Sequence, residues 1–329
     1  MARKLMHILP STGTGGGQTA VYGMIQGLRE FEHILVTHKS AASDVPCNGK
    51  VRKLFSDPVA AINRERPDFV HFSGIISNGT LDVRRLNYHP PIVWVAQTTG
   101  ARPFPGVTRA CACSEFLKRS TKWSSISPGF DVSSVTVVPN AAMDMFFEAP
   151  ARVSNVVIGR HCRFDKPKFS DNYWNVLRDV YKRVPTARFV IIGDGPYRRK
   201  AWSEVEKLGI DHVTHFTGNL PPVSVARLLS TFRVYFHSTG TWQEGWSLAI
   251  SEAMAKGIPI VCDRKGGNPE TVDGGSGFEC TKHDCMVNGI VALATDDTLW
   301  KEMSAGARAR ALSRMSVKAM CDGYRRVFM

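Results

Sequence analysis

Residues 236–263 read FHSTGTWQEGWSLAISEAMAKGIPIVCD, passing from strand through a polar loop and a short helix to a second strand. Residues 234–237 are a short apolar run of strand type, and 238–245 are rich in Gly, Ser and Thr. Strong helix formers occupy 246–256, and Gly257 stands where a helix-stopping glycine belongs. Residues 258–262 then predict a buried strand. Two carboxylates stand out, Glu244 before the helix and Glu252 within it, the latter among Leu248, Ala249, Ile250, Ala253 and Met254. A carboxylate on so apolar a helix is costly to desolvate without partners. Vicinal hydroxyls would satisfy it, because an ionised carboxylate only accepts hydrogen bonds. The helix start at Trp246, Ser247 and Leu248 offers backbone N–H groups and a positive dipole end, which suit a phosphate. The competing reading is an ordinary amphipathic helix with Glu252 turned to water.

The rest of the chain sets bounds on this reading. Its 329 residues suffice for two domains, and 43% hydrophobic content supports sizeable cores. No apolar run approaches the length of a membrane span, and the short N-terminal run reads as a first strand rather than a signal peptide. A net charge of +13 points to an anionic partner, whether phosphate, nucleic acid or an acidic membrane surface. The eight cysteines show no disulfide framework and are expected as reduced, mostly buried thiols. Neither Cys111-x-Cys113 nor Cys280-x4-Cys285 has the spacing of a structural zinc site.

In chain order, 4–9 predicts a strand, 10–18 a glycine-rich loop and 19–29 a helix, the opening of a doubly wound α/β domain. The loop lacks the third glycine of a dinucleotide fingerprint, with Gln18 in its place, and lacks the Gly-Lys-Ser/Thr of a P-loop. Short apolar runs at 32–37, 69–72 and 91–97 predict buried parallel strands. A second α/β domain begins at Val156, with a strand ending near Gly159 and a basic cluster after it: Arg160, Arg163, Lys166 and Lys168. Ligands of open parallel sheets bind at such strand ends. A further strand, 189–192, leads into Gly193-Asp194-Gly195-Pro196, which also fails as a dinucleotide fingerprint because Arg198 takes the third glycine's place.

Glu244-x7-Glu252 followed by Ala253-Met254-Ala255-x-Gly257-x-Pro259 resembles the signature of retaining GT-B glycosyltransferases of family 4 (glycosyl transferases group 1). The resemblance extends to the Gly-Asp-Gly-Pro at 193–196, to Asn268-Pro269-Glu270 after Gly266-Gly267, to the turn at 135–146 and to the last helical stretch, 316–328. It is specific in the second half and general in the first. It implies two doubly wound Rossmann-like domains facing a cleft: an acceptor domain at 1–147, a nucleotide-sugar donor domain at 148–313, and a terminal helix, 314–329, crossing back to the first domain. It implies a retaining, metal-independent hexosyltransferase with a nucleotide-diphosphate sugar as co-substrate, no cofactor, and a hydroxyl acceptor in a cell-surface polysaccharide, a glycolipid or a small molecule. By the same resemblance Glu252 takes the ribose hydroxyls and Glu244 the hydroxyls of the transferred sugar. Arg160 and Lys166, with Lys168 as rival to the latter, clamp the diphosphate together with amides near Trp246, Ser247 and Leu248. Two of Gly15, Gly16 and Gly17 let the backbone approach the donor, and the loops at Gly193 and Leu220 hold the base. On the acceptor side, Gln97 stands where the family has a histidine; His71 on the preceding strand is a candidate substitute, and the competing reading of it is a packed core residue. The expected setting is cytoplasmic, with peripheral contact at the inner membrane face. The alternatives are a glycosyltransferase acting on DNA bases or other nucleic acid, for which no binding motif is present, and a non-catalytic sugar-nucleotide binder.

Overall fold

The computed structural model describes residues 2–9, 16–37, 51–55, 57–73, 81–148, 150 and 155–329. They form two compact units, one of Met1–Ala141 with Ser316–Met329 and the other of Ala142–Met315. Residues 142–147, expected with the first domain, thus lie in the second unit.

In the first unit the elements are β1 (Arg3–Leu9), α1 (Gly16–Gly27), β2 (Phe31–Thr37), β3 (Val51–Phe55), α2 (Pro58–Glu65), β4 (Phe69–Ser73), β5 (Ile92–Ala96), β6 (Arg109–Ala112), α3 (Glu115–Ser120) and β7 (Thr136–Val137). The sheet is parallel, in the order β3-β2-β1-β4-β5-β6-β7. β1, β4 and β5 are near-continuous runs of buried residues, the mark of strands covered on both faces.

The second unit contains β8 (Val157–His161), α4 (Tyr173–Arg183), β9 (Arg188–Ile192), α5 (Arg198–Lys207), β10 (Thr214–Phe216), α6 (Pro222–Leu229), β11 (Val234–His237), α7 (Leu248–Ala255), β12 (Ile260–Asp263), α8 (Asn268–Thr271), β13 (Gly277–Cys280), α9 (His283–Thr295) and α10 (Asp297–Arg314). Its parallel sheet runs β10-β9-β8-β11-β12-β13. In each sheet the strand order reverses once, at β1/β4 and at β8/β11, and in open parallel sheets that switch point is where ligands bind.

The last helix, α11 (Val317–Phe328), returns to the first unit as expected. Ser316 caps it by accepting from the Ala319 N–H at 3.2 Å. Val317, Met320, Tyr324 and Val327 recur at helical spacing and are buried against the first unit's core. Its close approach to α1 requires glycine there: a Cβ on Gly23 or Gly27 would strike Met320 or the Cys321 sulfur. Two expectations change at this level. Cys280 and Cys285 are joined in a disulfide between the end of β13 and the first turn of α9, whereas both were expected as thiols. β8 also runs two residues beyond the expected strand end at Gly159, carrying Arg160 and His161 into the sheet.

A chain of buried imidazoles crosses the first sheet. His33 Nε2 lies 2.9 Å from the Leu28 carbonyl, His7 Nε2 3.0 Å from His33 Nδ1, and His7 Nδ1 3.3 Å from His71 Nδ1. A carbonyl only accepts, so His33 Nε2 donates. Burial holds all three rings below the ordinary histidine pKa. For neutral rings the tautomers then follow in sequence: His7 donates from Nε2 to His33, and His71 donates from Nδ1 to His7. His71, expected on the acceptor side, is therefore a fully buried core residue.

Burial pushes His71 and His237 down to about 3 and His7 well below the ordinary range. In the unfolded chain these rings take up protons near pH 6.5, while in the fold they do not until far lower. The unfolded state therefore binds more protons, and stability falls as pH drops below about 6.5, by up to roughly 1.4 kcal/mol per pH unit for each such histidine. Urea midpoints at pH 7.5, 6.5 and 5.5 should fall across the series, in an interval above the titration of the carboxylates. Constant midpoints would mean that these rings are not held neutral in the fold.

Candidate active site

The β8/β11 switch point of the second unit gathers most of the residues singled out from sequence. The loop after β11, residues 238–245, is pinned at several places. Arg160 Nη1 donates to the Ser238 carbonyl at 3.0 Å. The Thr239 N–H donates to Asp263 Oδ2 at 2.7 Å. Lys265 Nζ donates to the Thr239 and Gly240 carbonyls at 2.8 and 3.1 Å. The Gly267 N–H donates to the Glu244 carbonyl at 2.8 Å. The last contact demands glycine, since a Cβ at 267 would collide with the Gly245 carbonyl and one at 266 with that of Glu244. Asp263 is itself buried, held by Asn268 Nδ2 at 2.8 Å, and burial raises its pKa despite the donors around it.

Glu244, on this pinned loop, faces Lys168 Nζ at 2.6 Å and His237 Nε2 at 3.8 Å. Burial would raise its pKa, but the Lys168 charge and hydrogen bonds from Lys168 and Ser247 prevail and hold it at about 2. Glu244 is therefore an anion at any physiological pH. Lys168 Nζ also sits 5.3 Å from the centre of the exposed Trp242 ring. Glu252, on α7, is paired with His161 Nε2 at 2.6 Å, with both side chains largely buried. Ser247 caps α7 by accepting from the Ile250 N–H, so the helix begins at Leu248 and not at Trp246, which is buried beside it.

Two proposed clamp residues stand elsewhere. Arg160 is fully buried. Its Nη1 is shared between the Lys168 carbonyl at 2.9 Å and the Ser238 carbonyl, Nη2 contacts His237 Nδ1 at 3.3 Å, and the guanidinium lies over Phe169 and Tyr173. In this structure it lies beneath the site. The cause is the strand extension: alternation along β8 turns Arg160 inward. Lys166 is turned to solvent and bonded to the exposed Asp171 at 2.7 Å. Lys168, its rival, is the lysine at the site.

Of the remaining positions, Gly193 donates its N–H to the Gly218 carbonyl at 2.9 Å, so the loops after β9 and β10 are joined. Leu220 follows, half-buried. In the first unit Gly16 and Gly17 open α1, and Gly15 lies outside the described residues. Gln97 follows β5 and exchanges hydrogen bonds with the buried Asn140: Asn140 Nδ2 donates to Gln97 Oε1 at 2.6 Å and Gln97 Nε2 to Asn140 Oδ1 at 3.3 Å. His161, His237, Tyr235 and Asp263 were not singled out from sequence. The apolar alternation of β8, followed two residues further, would have pointed to His161. Among the described residues no group of three or more His, Cys, Asp or Glu side chains could hold a metal ion.

Residues 156–310 match the family described as Glycosyl transferases group 1. This stretch is similar to group 1 glycosyltransferase domains. A GDP-mannose-dependent alpha-(1-6)-phosphatidylinositol monomannoside mannosyltransferase of Mycolicibacterium smegmatis is 29% identical over 153 residues, 44% of this chain and 40% of the relative. A phosphatidylinositol N-acetylglucosaminyltransferase component of Arabidopsis thaliana is 30% identical over 169 residues, 50% of this chain and 37% of the relative. The chain thus spans less than half the length of these curated relatives. Among solved structures, Anabaena HepE in complex with UDP superposes with a TM-score of 0.77 at 16% identity, covering 98% of this chain and 99% of that one. The two units have the Rossmann-like architecture of GT-B glycosyltransferases.

The Arg160 geometry makes a prediction. Arg160→Met removes the donor that serves two backbone carbonyls and the ring stack beneath them. Breaking such a buried network should destabilise the fold by roughly 3–5 kcal/mol in urea titrations, whereas Lys166→Ala should change stability by less than about 0.5 kcal/mol. An Arg160→Met variant as stable as the parent would return Arg160 to the ligand-facing role.

Proposed function

We propose that this chain is a retaining glycosyltransferase that moves a sugar from a nucleoside-diphosphate donor to a hydroxyl acceptor without a metal ion. The observation that carries the reading is the pair of glutamates at the β8/β11 switch point, each held by a cation or an imidazole on the ends of β8 and β11 or the loop after β8. In this reading Glu252 receives the ribose hydroxyls and Glu244 those of the transferred sugar. Lys168 and the N–H groups at the start of α7 receive the diphosphate. As the sugar–phosphate bond breaks, negative charge grows on the leaving phosphate, and fixed positive groups already aimed at it favour the transition state. The acceptor hydroxyl attacks from the side the phosphate leaves and gives its proton to a phosphate oxygen, so no enzyme nucleophile is assigned. Support comes from the match of residues 156–310 and from relatives whose names specify GDP-mannose as donor or whose structure holds UDP.

We also place the acceptor at an anionic membrane surface, on the cytoplasmic side. The first unit has 19 Lys and Arg against 10 Asp and Glu, the second 23 against 19. The excess of basic charge therefore lies mainly on the first unit, and each basic residue near an anionic surface contributes about 1 kcal/mol. Both curated relatives described above are named for phosphatidylinositol-based acceptors. Among the described residues no helix is long and apolar enough to cross a membrane.

Incubation with UDP-glucose, UDP-N-acetylglucosamine and GDP-mannose should release nucleoside diphosphate from one of them and form a product with the donor's anomeric configuration by NMR. Turnover should persist in excess chelator. Inversion would overturn the retaining assignment, and activity restored only by magnesium or manganese would overturn metal independence. Glu252→Gln should weaken binding of the free nucleoside diphosphate by roughly 1.5–3 kcal/mol, the size of a hydrogen bond to a charged group. Unchanged affinity in calorimetry would assign Glu252 a structural role.

For the membrane assignment, the protein should sediment with vesicles containing phosphatidylinositol and not with phosphatidylcholine alone, and should be released by 0.5 M salt. Equal sedimentation with both would reject the charge argument.

A further inference from the structure

Glu252 on α7 has one hydrogen-bonding side-chain partner among the described residues, and it is neither a lysine nor an arginine. His161 Nε2 lies 2.6 Å from Glu252 Oε2. Behind it, His161 Nδ1 lies 3.2 Å from the Tyr235 hydroxyl, which is also 3.1 Å from the His161 carbonyl and 3.2 Å from the His161 backbone nitrogen. Tyr235 is fully buried, and burial keeps its phenol protonated. The imidazole is thus gripped from behind through both ring and backbone, and its far nitrogen is committed to one carboxylate oxygen. Since the carboxylate only accepts, the proton of that contact sits on His161 Nε2. No donor among the described residues reaches Glu252 Oε1.

We propose that His161, backed by Tyr235, is the positioning residue that makes Glu252 a reader of ribose. The inference rests on the reading of Glu252 as the ribose contact. A glutamate side chain free to rotate would lose rotamer entropy on binding two hydroxyls. One oxygen tied to His161 leaves the other presented in a fixed place, where its lone pairs meet a vicinal diol. His161 does not touch the nucleotide in this arrangement and acts only through Glu252. The geometry also says why the position takes histidine. The side chain must donate to α7 with one end while the other end meets a phenol on the neighbouring strand, β11, and the imidazole carries a nitrogen at each end.

The test reads selectivity between ribose and deoxyribose, which a general loss of packing would not move. Calorimetry is run with UDP and GDP and with their 2′-deoxy counterparts on the parent, His161→Leu, His161→Gln, Tyr235→Phe and Glu252→Gln. We expect Glu252→Gln and His161→Leu each to cut the ribo-over-deoxy preference at least tenfold while leaving the deoxy affinity within about twofold. His161→Gln, which keeps an N–H donor, should recover part of the preference, and His161→Leu should add nothing to the loss in Glu252→Gln. If Glu252→Gln abolishes the preference and His161→Leu retains it in full, the positioning role is wrong and the ribose reading stands. If Glu252→Gln itself keeps the preference, the ribose reading falls and this inference with it. Should His161→Leu not fold, Tyr235→Phe decides. That variant removes the back contact alone and must lower the preference measurably for the proposal to survive.

Discussion

One buried guanidinium holds the second unit's site together. Arg160 lies under the switch point and spends its hydrogen bonds on the Lys168 carbonyl, the Ser238 carbonyl and the His237 ring. These three partners belong to the loop after β8 and to the end of β11 with its following loop, the two segments whose side chains line the site. An isolated buried cation would be costly, and this one is compensated by carbonyl dipoles and two aromatic faces. Its cost is met only when both loops are in place. Lys168 and His237, the two side chains that Glu244 faces, therefore cannot be positioned independently of each other.

The two glutamates are held in different ways, and the difference suits different tasks. Glu244 faces a lysine and is fixed as an anion with its pKa near 2. A contact of this kind brings the ammonium and the carboxylate to the same spot, so a ligand there meets both signs of charge. Glu252 faces an imidazole that uses one oxygen and leaves the other. Its surroundings bring no fixed cation to the second oxygen, which suits neutral hydroxyls better than phosphate oxygens. Charge thus sets the Lys168–Glu244 end of the site apart from the Glu252 end.

Much of this was legible in the sequence, for reasons that particular residues make plain. The strands β1, β4, β5 and β12 are apolar runs bounded by turn residues, and Glu252 stood out as a carboxylate in an apolar setting, with Glu244 on the polar loop before its helix. Legibility failed where one residue's register decided direction. Ending β8 at Gly159 put Arg160 in a loop, whereas the strand continues and alternation sends Arg160 into the core and His161 toward α7. Lys166 and Lys168 could not be separated by spacing, because both lie in one short helical turn, 166–168, and only the turn's orientation sends one to Asp171 and the other to Glu244. For His71 the core reading holds over the acceptor-side one, and its partner, His7, is 64 residues away in sequence. The Cys280–Cys285 link was likewise invisible to a count of cysteines.

The first unit shares the topology of the second, with its own reversal at β1/β4, yet its polar chemistry is of another kind. Its three buried imidazoles are neutral and consume one another's hydrogen bonds, so they offer neither charge nor a proton at working pH. Gln97 and Asn140 likewise satisfy each other through one N–H and one carbonyl lone pair apiece. Each amide keeps a second N–H and a second lone pair, enough to orient a hydroxyl but not to deprotonate it. A hydroxyl bound beside Gln97 would find direction there and no base. This amide pair takes no proton, and in the reaction proposed above the departing phosphate is where negative charge accumulates. An amide pair where an acid–base residue is usual therefore fits a mechanism that asks the first unit only to aim the acceptor.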